Sequence, residues 1–338
     1  MKIGITYDLK EDYLREGYSE EDAAEFDGVE TIWAIESSLR SLGHSTDRIG
    51  HVRSLAGRLV QGDRWDLVFN IAEGLRGFGR EAQVPALLDA FGIPYTFSDP
   101  LVLSVALHKG VAKRILRDLG IPTPYFVVVE SLSDAAAIDH PFPLFMKPVA
   151  EGTSKGISKT SKVWNRTELL AGCAKLLERF RQPVLVEAFL PGREFTVGIL
   201  GTGSDATALG TAEIVLQQEA EPEIYSFANK KSYQTRVCYR LADDVVAATA
   251  TKMALAVWKG LGCRDGGRVD FRCDGEGRVN FLEVNPLAGL HPEDSDLVIM
   301  SRMKGIPYTT LIESIVASAI KRSSAPDAAC RGQVHSAS

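Results

Sequence analysis

The 338 residues of the chain include 38 lysine and arginine and 44 aspartate and glutamate side chains, a formal net charge of −6 at pH 7. With 45% hydrophobic and 24% charged residues, the composition is that of a folded soluble protein, and it excludes collagen-like, largely disordered and transmembrane classes. The acidic balance also argues against a general binder of nucleic acid or of an anionic membrane.

Strand and helix patterns alternate through the first hundred residues. The predicted elements are a strand over Lys2–Tyr7, a helix over Thr31–Leu42, a strand over Asp66–Asn70, a helix over Val84–Phe91 and an extended segment over Ile93–Thr96. Residues 8–30 are acidic and lack a clear period, so a long loop or an irregular helix is expected there. The alternation predicts a doubly wound α/β domain with a parallel sheet and helices on both faces.

Short strands predominate beyond residue 100, which predicts an α+β arrangement with antiparallel sheets. Helices are predicted over Leu101–Leu119, Thr167–Phe180, Asp243–Leu261 and Pro307–Ile320. The predicted strands are Tyr125–Val129, Pro143–Val149, Pro183–Phe189, Phe195–Leu200, Thr207–Val215, Gly267–Cys273 and Arg278–Asn285. The last two flank Gly275-Glu276-Gly277, which predicts a hairpin. The small polar tail at 323–338 is predicted to be disordered.

The cysteines and the first residues bear on the compartment. The five cysteines are an odd number without a C-x-x-C pair, so neither a disulfide framework nor a zinc site is indicated. The chain opens directly with a strand pattern, so we expect no signal peptide. These features favour a cytoplasmic protein with free thiols.

A first segment that could carry chemistry is MKPVAEGTSKG at 146–156. A strand there delivers Lys147 into a loop of glycines and hydroxyl side chains. Exposed backbone N–H groups, hydroxyls and a lysine suit a polyphosphate, although the spacing is not that of a P-loop. The alternative is a surface turn with a solvated lysine.

A second segment is VEAFLPGREF at 186–195, where a strand leads into a turn with two acids seven residues apart. Such a segment can offer backbone groups to a purine edge and Glu194 to ribose hydroxyls. The alternative is a strand–turn–strand unit with surface acids.

The third segment pair is Arg268–Asp270 on one strand and Glu283–Asn285 on the next. Alternation puts the first and last residue of each triplet on one face, and hairpin pairing can bring the two faces together. Oxygen ligands of this kind suit Mg²⁺ beside phosphates. A solvent face is the alternative, but the strands are otherwise apolar, and buried charges without partners are costly.

In this order the three segments resemble the ATP-grasp superfamily, and more narrowly the D-alanine–D-alanine ligases. The resemblance runs over most of residues 1–322 and is strongest in Gly92–Lys113, Phe145–Gly156, Val184–Phe195 and Gly267–Met300. It implies an N-terminal α/β domain at 1–104, a central ATP-grasp lobe at 105–188, a C-terminal ATP-grasp lobe at 189–322 and the tail at 323–338.

The resemblance also implies how ATP and metal would be held. Lys109 and Lys147 would contact phosphates, Thr153 and Ser154 would lie in the closing loop, Glu187 with the backbone of Ala188 and Leu190 would hold adenine, Glu194 would hold ribose, Lys230 would reach the transferred phosphate, and Asp270, Glu283 and Asn285 would bind two Mg²⁺ ions, with Mn²⁺ as an alternative. Arg268 and the N–H of Gly289 would stabilise the oxyanion, and Ser295 would hold the carboxylate of the second amino acid.

The amino-acid half departs from the pattern of those ligases. The Gly-rich first loop and its amine-gripping glutamate are absent, and Glu25 and Asp27 are the two candidates for that role by position. Lys231 stands where the ligases have a tyrosine, and His291 lies in an altered substrate loop. The departures imply a related ligase with another substrate pair.

The resemblance therefore implies an ADP-forming carboxylate–amine ligase that joins amino acids through an acyl phosphate, with a pair other than two D-alanines. It also implies a homodimer that acts on small molecules, and the acidic charge balance argues against nucleic acid or membrane partners. The loop at 151–156 and the stretch at 225–240 would exclude water. The alternative is an inactive nucleotide-binding module that acts as a sensor or partner protein.

Overall fold

The computed structural model describes residues 1–216 and 237–324. Its first sheet is parallel, with strand order β2-β1-β3, as the alternation predicts. The strands are β1 (Lys2–Thr6), β2 (Ser45–Gly50) and β3 (Leu67–Asn70), and the helices are α1 (Lys10–Arg15), α2 (Val29–Ser41), α3 (Val52–Val60) and α4 (Gln83–Ala90). β2 and α3 were not predicted from the sequence patterns. The polar strand β2 has only one buried residue, and α3 has only two.

The helix predicted over Leu101–Leu119 is two helices, so the prediction of one continuous helix is wrong. The helices are α5 (Pro100–Leu107) and α6 (Lys109–Asp118), and they meet at His108, whose backbone is not helical. The His108 Nδ1 atom accepts the N–H of Val111, and the Lys109 N–H donates to the Val149 carbonyl. The break places Lys109 at the start of α6, beside the loop after residue 149.

A second, antiparallel sheet has the order β4-β7-β5-β6. Two helices pack on it and bury a small apolar core around Val129, Leu144 and Leu169. Its elements are β4 (Phe126–Val129), α7 (Leu132–Ala136), β5 (Leu144–Pro148), a 3₁₀ turn at Lys159–Ser161, β6 (Lys162–Val163), α8 (Arg166–Phe180) and β7 (Val184–Ala188).

The third sheet is also antiparallel, with the order β10-β9-β8-β11-β12. Helix α9 begins at the Asp244 cap and ends at Gly262 in the left-handed region, and its alanine-rich face packs on the sheet. The elements are β8 (Glu194–Leu200), a 3₁₀ turn at Gly203–Asp205, β9 (Thr207–Leu216), β10 (Val237–Leu241), α9 (Val245–Leu261), β11 (Gly266–Cys273), β12 (Val279–Asn285), α10 (Asp296–Met303) and α11 (Tyr308–Ser324).

One core joins the two ends of the chain. Ile3 and Phe69 of the parallel sheet belong to the same apolar cluster as Leu297 of α10 and Ile312 of α11. Helix α11 runs past the predicted end at Ile320 to Ser324, and the rest of the predicted tail lies outside the described residues. Among the described residues, no helix has the length and apolarity needed to span a membrane.

Candidate active site

Two cavities adjoin between the sheets. The smaller, about 100 Å³, lies between the second and third sheets, and the larger, about 760 Å³, extends toward the parallel sheet. Thr153, Arg268 and Glu283 line both of them. Other predicted residues on the smaller cavity are Lys147, Ser154, Glu187, Ala188, Leu190, Glu194 and Asp270. Those on the larger are Glu25, Asp27, Lys109, Asn285, Gly289, His291 and Ser295. The predicted Lys230 and Lys231 lie outside the described residues.

A buried carboxylate between two lysines forms the base of the small cavity. Glu187 on β7 lies opposite Phe145 on β5, and strand alternation puts Lys147 on that same face. Glu187 is 2.8 Å from the Lys147 Nζ atom and 3.0 Å from the Nζ atom of Lys113 on α6. Burial favours the neutral carboxyl, but the two lysines outweigh it and lower the pKa of Glu187.

Lys113 is a site residue that the sequence analysis missed. Its side chain has no exposed area, and it also donates to Thr123 and to the Phe281 carbonyl, both at 3.0 Å. Burial lowers the pKa of Lys113 to about 8. The signal that points to it is its position four residues after Lys109, on the same face of α6.

The walls of the small cavity suit a flat ring with a polar end. Apolar side chains of Phe145, Ile157, Leu190 and Ile214 line it. Glu194 lies opposite Arg272 in the strand register and pairs with it at 3.2 Å, while burial raises the pKa of Glu194. The N–H of Ala188 donates to the Tyr125 carbonyl at 2.9 Å, so this amide already has a partner.

The predicted hairpin and its shared polar face are confirmed. Arg268 pairs with Asn285 and Asp270 with Glu283 in the register of β11 and β12, and a bulge follows Asp270. Asp270 accepts a hydrogen bond from Thr196 at 2.7 Å and one from Asn285 at 3.2 Å, and it forms an ion pair with Arg268. Burial raises the pKa of Asp270 against the opposing effect of Arg268, and Glu283 raises it further.

The oxygen atoms of this face fit a hard divalent cation. Two carboxylates are direct cross-strand partners, and the Asn285 amide lies on the same face. Within the described ranges no three His, Cys, Asp or Glu side chains form a metal cluster by themselves, so the set depends on the amide oxygen of Asn285. The Asp270 and Glu283 carboxylates repel each other, and a bound cation would reduce that repulsion.

Lys109 joins this face to the loop after β5. Its Nζ atom lies 3.4 Å from the Glu283 carboxylate and donates to the Glu151 carbonyl at 2.6 Å. In that loop Thr153 and Ser154 both have positive φ angles, 48° and 56°, which are uncommon for residues other than glycine.

Glu25 belongs to a buried ion-pair network that the sequence patterns do not reveal. It pairs with Arg80 at 2.7 Å, accepts the Gly152 N–H at 2.7 Å and lies 3.6 Å from Lys155. Burial opposes ionisation, but Arg80 and Lys155 outweigh it and lower the pKa of Glu25 to about 2. Burial raises the pKa of Asp27, on the same wall, to about 7. The two candidates for the amine-binding role therefore differ in ionisation, because the pKa of Glu25 is lowered and that of Asp27 is raised.

The segment after β12 closes the far side of the large cavity. The Ser295 hydroxyl accepts the His291 N–H at 2.8 Å, and a Cβ atom on Gly289 would lie 2.9 Å from that hydroxyl oxygen. The His291 Nδ1 atom accepts the N–H groups of Glu293 and Asp294, so its ring shapes the loop. Arg268 also reaches Asp296 at the start of α10, at 3.3 Å.

Comparison of the sequence with known proteins shows the family of this chain. Residues 115–317 match the family model described as the D-ala D-ala ligase C-terminus. A D-alanine–D-alanine ligase of Aquifex aeolicus is 32% identical over 289 residues, which cover 85% of this chain and 94% of that protein. The chain belongs to the D-alanine–D-alanine ligase family. It is an ATP-grasp ligase that forms C–N bonds and depends on ATP.

Solved structures agree with this family at the level of the fold. A D-alanine–D-alanine ligase from Bacillus anthracis in complex with ATP is 21% identical, with a TM-score of 0.71 over 96% of this chain and 98% of that chain. The VanG D-Ala:D-Ser ligase from Enterococcus faecalis is 20% identical, with a TM-score of 0.71 over 94% of this chain and 99% of that chain. The predicted ATP-grasp fold is thereby confirmed.

Proposed function

We propose that this ligase activates the carboxylate of one amino acid with ATP, forms an acyl phosphate, and transfers the acyl group to the amine of a second amino acid with release of ADP. The observation that carries the proposal is the meeting of two cavities at Glu283, where Lys109, Arg268 and the Asp270 carboxylate converge. A nucleotide in the small cavity would direct its γ-phosphate into the large one.

Each group has a role that follows from its charge. Lys109 and Lys147 offset phosphate charge, and Asp270, Glu283 and Asn285 hold Mg²⁺, for which we propose two ions. When bound, Mg²⁺ neutralises the charge that develops on the transferred phosphoryl group. Arg268 and the N–H of Gly289 stabilise the oxyanion formed when the amine attacks, and the loss of one such donor typically costs ~3 kcal/mol.

We propose a substrate pair other than two D-alanines because the wall contributed by the parallel sheet departs from the ligase pattern. The inactive nucleotide-binding module gains no support here, since the buried charges around Glu187 and Asp270 retain their partners. A homodimer stays a prediction from the family resemblance, and a cytoplasmic location stays a prediction from the cysteine pattern.

The direct test is ADP release with ATP, Mg²⁺ and pairs of D- and L-amino acids. We expect turnover with at least one pair, and loss of more than about 99% of it in Lys147→Ala and Glu283→Ala, because each change removes charge compensation in the transfer step. Lys252→Ala, at an exposed lysine of α9, is the control and should keep full activity. No ADP above background with any pair would contradict the proposal.

A further inference from the structure

Two carboxylates on the wall of the large cavity form no direct ion pair in the described part of the chain, although the charge of Arg80 acts on both from a greater distance. Glu73 follows β3, and Glu81 lies two residues before the start of α4. Both line the cavity, and Glu81 is only 9% exposed. Neither carboxylate makes a hydrogen bond or an ion pair with another described residue. An acid that has no direct partner in the protein and opens onto a cavity is a candidate binding group for a cationic ligand.

The cations around these acids are already engaged. The Arg80 Nη2 atom donates a hydrogen bond to Glu25 at 2.7 Å, and its Nη1 atom donates one to the Ala150 carbonyl at 2.8 Å. Lys155 pairs with Glu151 at 2.7 Å, and Lys109 bonds to the loop and to Glu283. The wall therefore has more carboxyl groups than its lysines and arginines contact directly.

The titration of the two acids reflects the lack of a direct cationic partner. Burial raises the pKa of Glu81 to about 7. It also raises the pKa of Glu73 well above its usual value, and the nearby carboxylates of Glu81 and Glu25 raise it further. A bound cation would favour the ionised forms of these acids. A single α-ammonium group would pair with one carboxylate, whereas Asp27, Glu73 and Glu81 together offer three carboxyl groups.

We propose that Glu73 and Glu81 form a subsite for the cationic side chain of a basic amino acid, an ammonium or guanidinium group, in the larger cavity. This inference rests on the proposed function and specifies its substrate class. Lys109 and Arg268 line the same cavity, so the substrate directs its carboxylate toward them and its side-chain cation toward the acidic wall. A guanidinium or ammonium group between two carboxylates makes charge-assisted hydrogen bonds, the strongest kind available there.

The first experiment measures binding without turnover. The whole protein, loaded with Mg²⁺ and a non-hydrolysable ATP analogue, is titrated by calorimetry with D- and L-forms of lysine, ornithine, arginine, alanine, serine and glutamate. At least one basic amino acid is expected to bind ~10-fold tighter than every neutral or acidic one, as a hydrogen-bonded charge pair would give. Tighter binding of a neutral or acidic amino acid overturns the subsite.

The second experiment uses Glu73→Gln and Glu81→Gln, which keep the side-chain shape and remove the charge. Each should lower kcat/KM for the basic amino acid about 10- to 100-fold through KM, as the loss of a charged hydrogen bond does, with the KM for ATP unchanged. Glu178→Gln on the exposed face of α8 is the matched control. An equal loss for basic and neutral amino acids, with normal melting curves, overturns the subsite.

The two experiments also separate this inference from the ligase proposal. Basic amino acid binding that depends on Glu81 but never yields ADP would retain the subsite and contradict the ligase. ADP release that is specific for neutral pairs would retain the ligase and contradict the subsite.

Discussion

Glu25 and Glu81 are the same residue type on one cavity wall, yet their ionisation is opposite. Arg80 and Lys155 outweigh burial at Glu25, whose pKa falls to about 2, while burial dominates at Glu81, whose pKa rises to about 7. At the scale of the residue, the presence of a cation within hydrogen-bond distance decides which acid is a permanent anion. Glu25 therefore holds structure together, and Glu81 is poised to respond to a charged ligand.

Glu81 should make the stability of the protein depend on pH. Its folded pKa of about 7 lies above the ordinary 4.5, so its stabilising contribution is complete below about pH 4.5 and is lost as the pH rises through about 7. Glu81→Gln should consequently be more stable than the wild type at pH 8.5 by at most about 3 kcal/mol, and the gain should vanish near pH 4.5. Urea unfolding at several pH values measures the difference. A gain that is constant with pH, or an equal one in Glu178→Gln, would refute this assignment.

At the scale of the element, the loop after β5 is held by the parallel-sheet side of the molecule. Arg80 bonds to the Ala150 carbonyl, and Glu25 accepts the Gly152 N–H. The loop residues Thr153 and Ser154 adopt left-handed conformations that cost of order 1 kcal/mol each, so external contacts must maintain them. This loop contacts Lys109, a lysine that we propose binds phosphate, and on that proposal it would cover the reacting groups.

Arg80→Ala should release this loop. Trypsin should then cut after Lys155 several-fold faster, since the loop backbone loses its hydrogen bond to Arg80 and Glu25 loses its main cation. Mass spectrometry of the early fragments measures the cut. We also expect more ADP per bond formed, because water reaches the acyl phosphate. Arg53→Ala on the exposed side of α3 should leave both readouts unchanged; unchanged cleavage in Arg80→Ala would refute the role of the tether.

At the scale of the whole molecule, one buried aspartate joins three distant parts of the chain. Asp265 immediately precedes β11. Its carboxylate accepts hydrogen bonds from the Phe97 N–H, the Ser318 hydroxyl and an Arg322 nitrogen, each at 2.8 Å. The same Arg322 nitrogen donates to the Tyr95 carbonyl at 2.8 Å. This junction ties the end of α11 to the segment after β3, so α11 contributes to the stability of the parallel-sheet part of the molecule.

Arg322→Ala should therefore destabilise the whole protein. It leaves the Asp265 carboxylate buried without its cation, a change that costs about 3–5 kcal/mol. Lys321→Ala is the matched control, because the neighbouring Lys321 forms an exposed ion pair with Asp205 of the kind that contributes at most about 1 kcal/mol. Chemical unfolding of the two variants gives both values. Equal losses would show that the junction is not a main source of stability.

Local sequence patterns were sufficient to predict the structure where the interacting residues are close in sequence. The pairing of Asp270 with Glu283 follows from strand alternation and a short turn, and the helix over Asp243–Leu261 from its period and cap. The local patterns were insufficient where a residue's partner is remote in sequence. The break at His108 depends on the Val149 carbonyl, and the partner of Lys113 is Glu187, 74 positions later by subtraction.

The sequence by itself determined most of the strands and helices, apart from polar strands such as β2, and the shared polar face of β11 and β12, because period, alternation and turn chemistry act over a few residues. Only the tertiary structure decided which acids are neutralised and which are not. Arg80 reaches Glu25 across 55 positions, while Glu81, one residue away from that arginine, meets an open cavity. Charge compensation depends on distances in space of a few ångströms, and no local pattern in the chain encodes them.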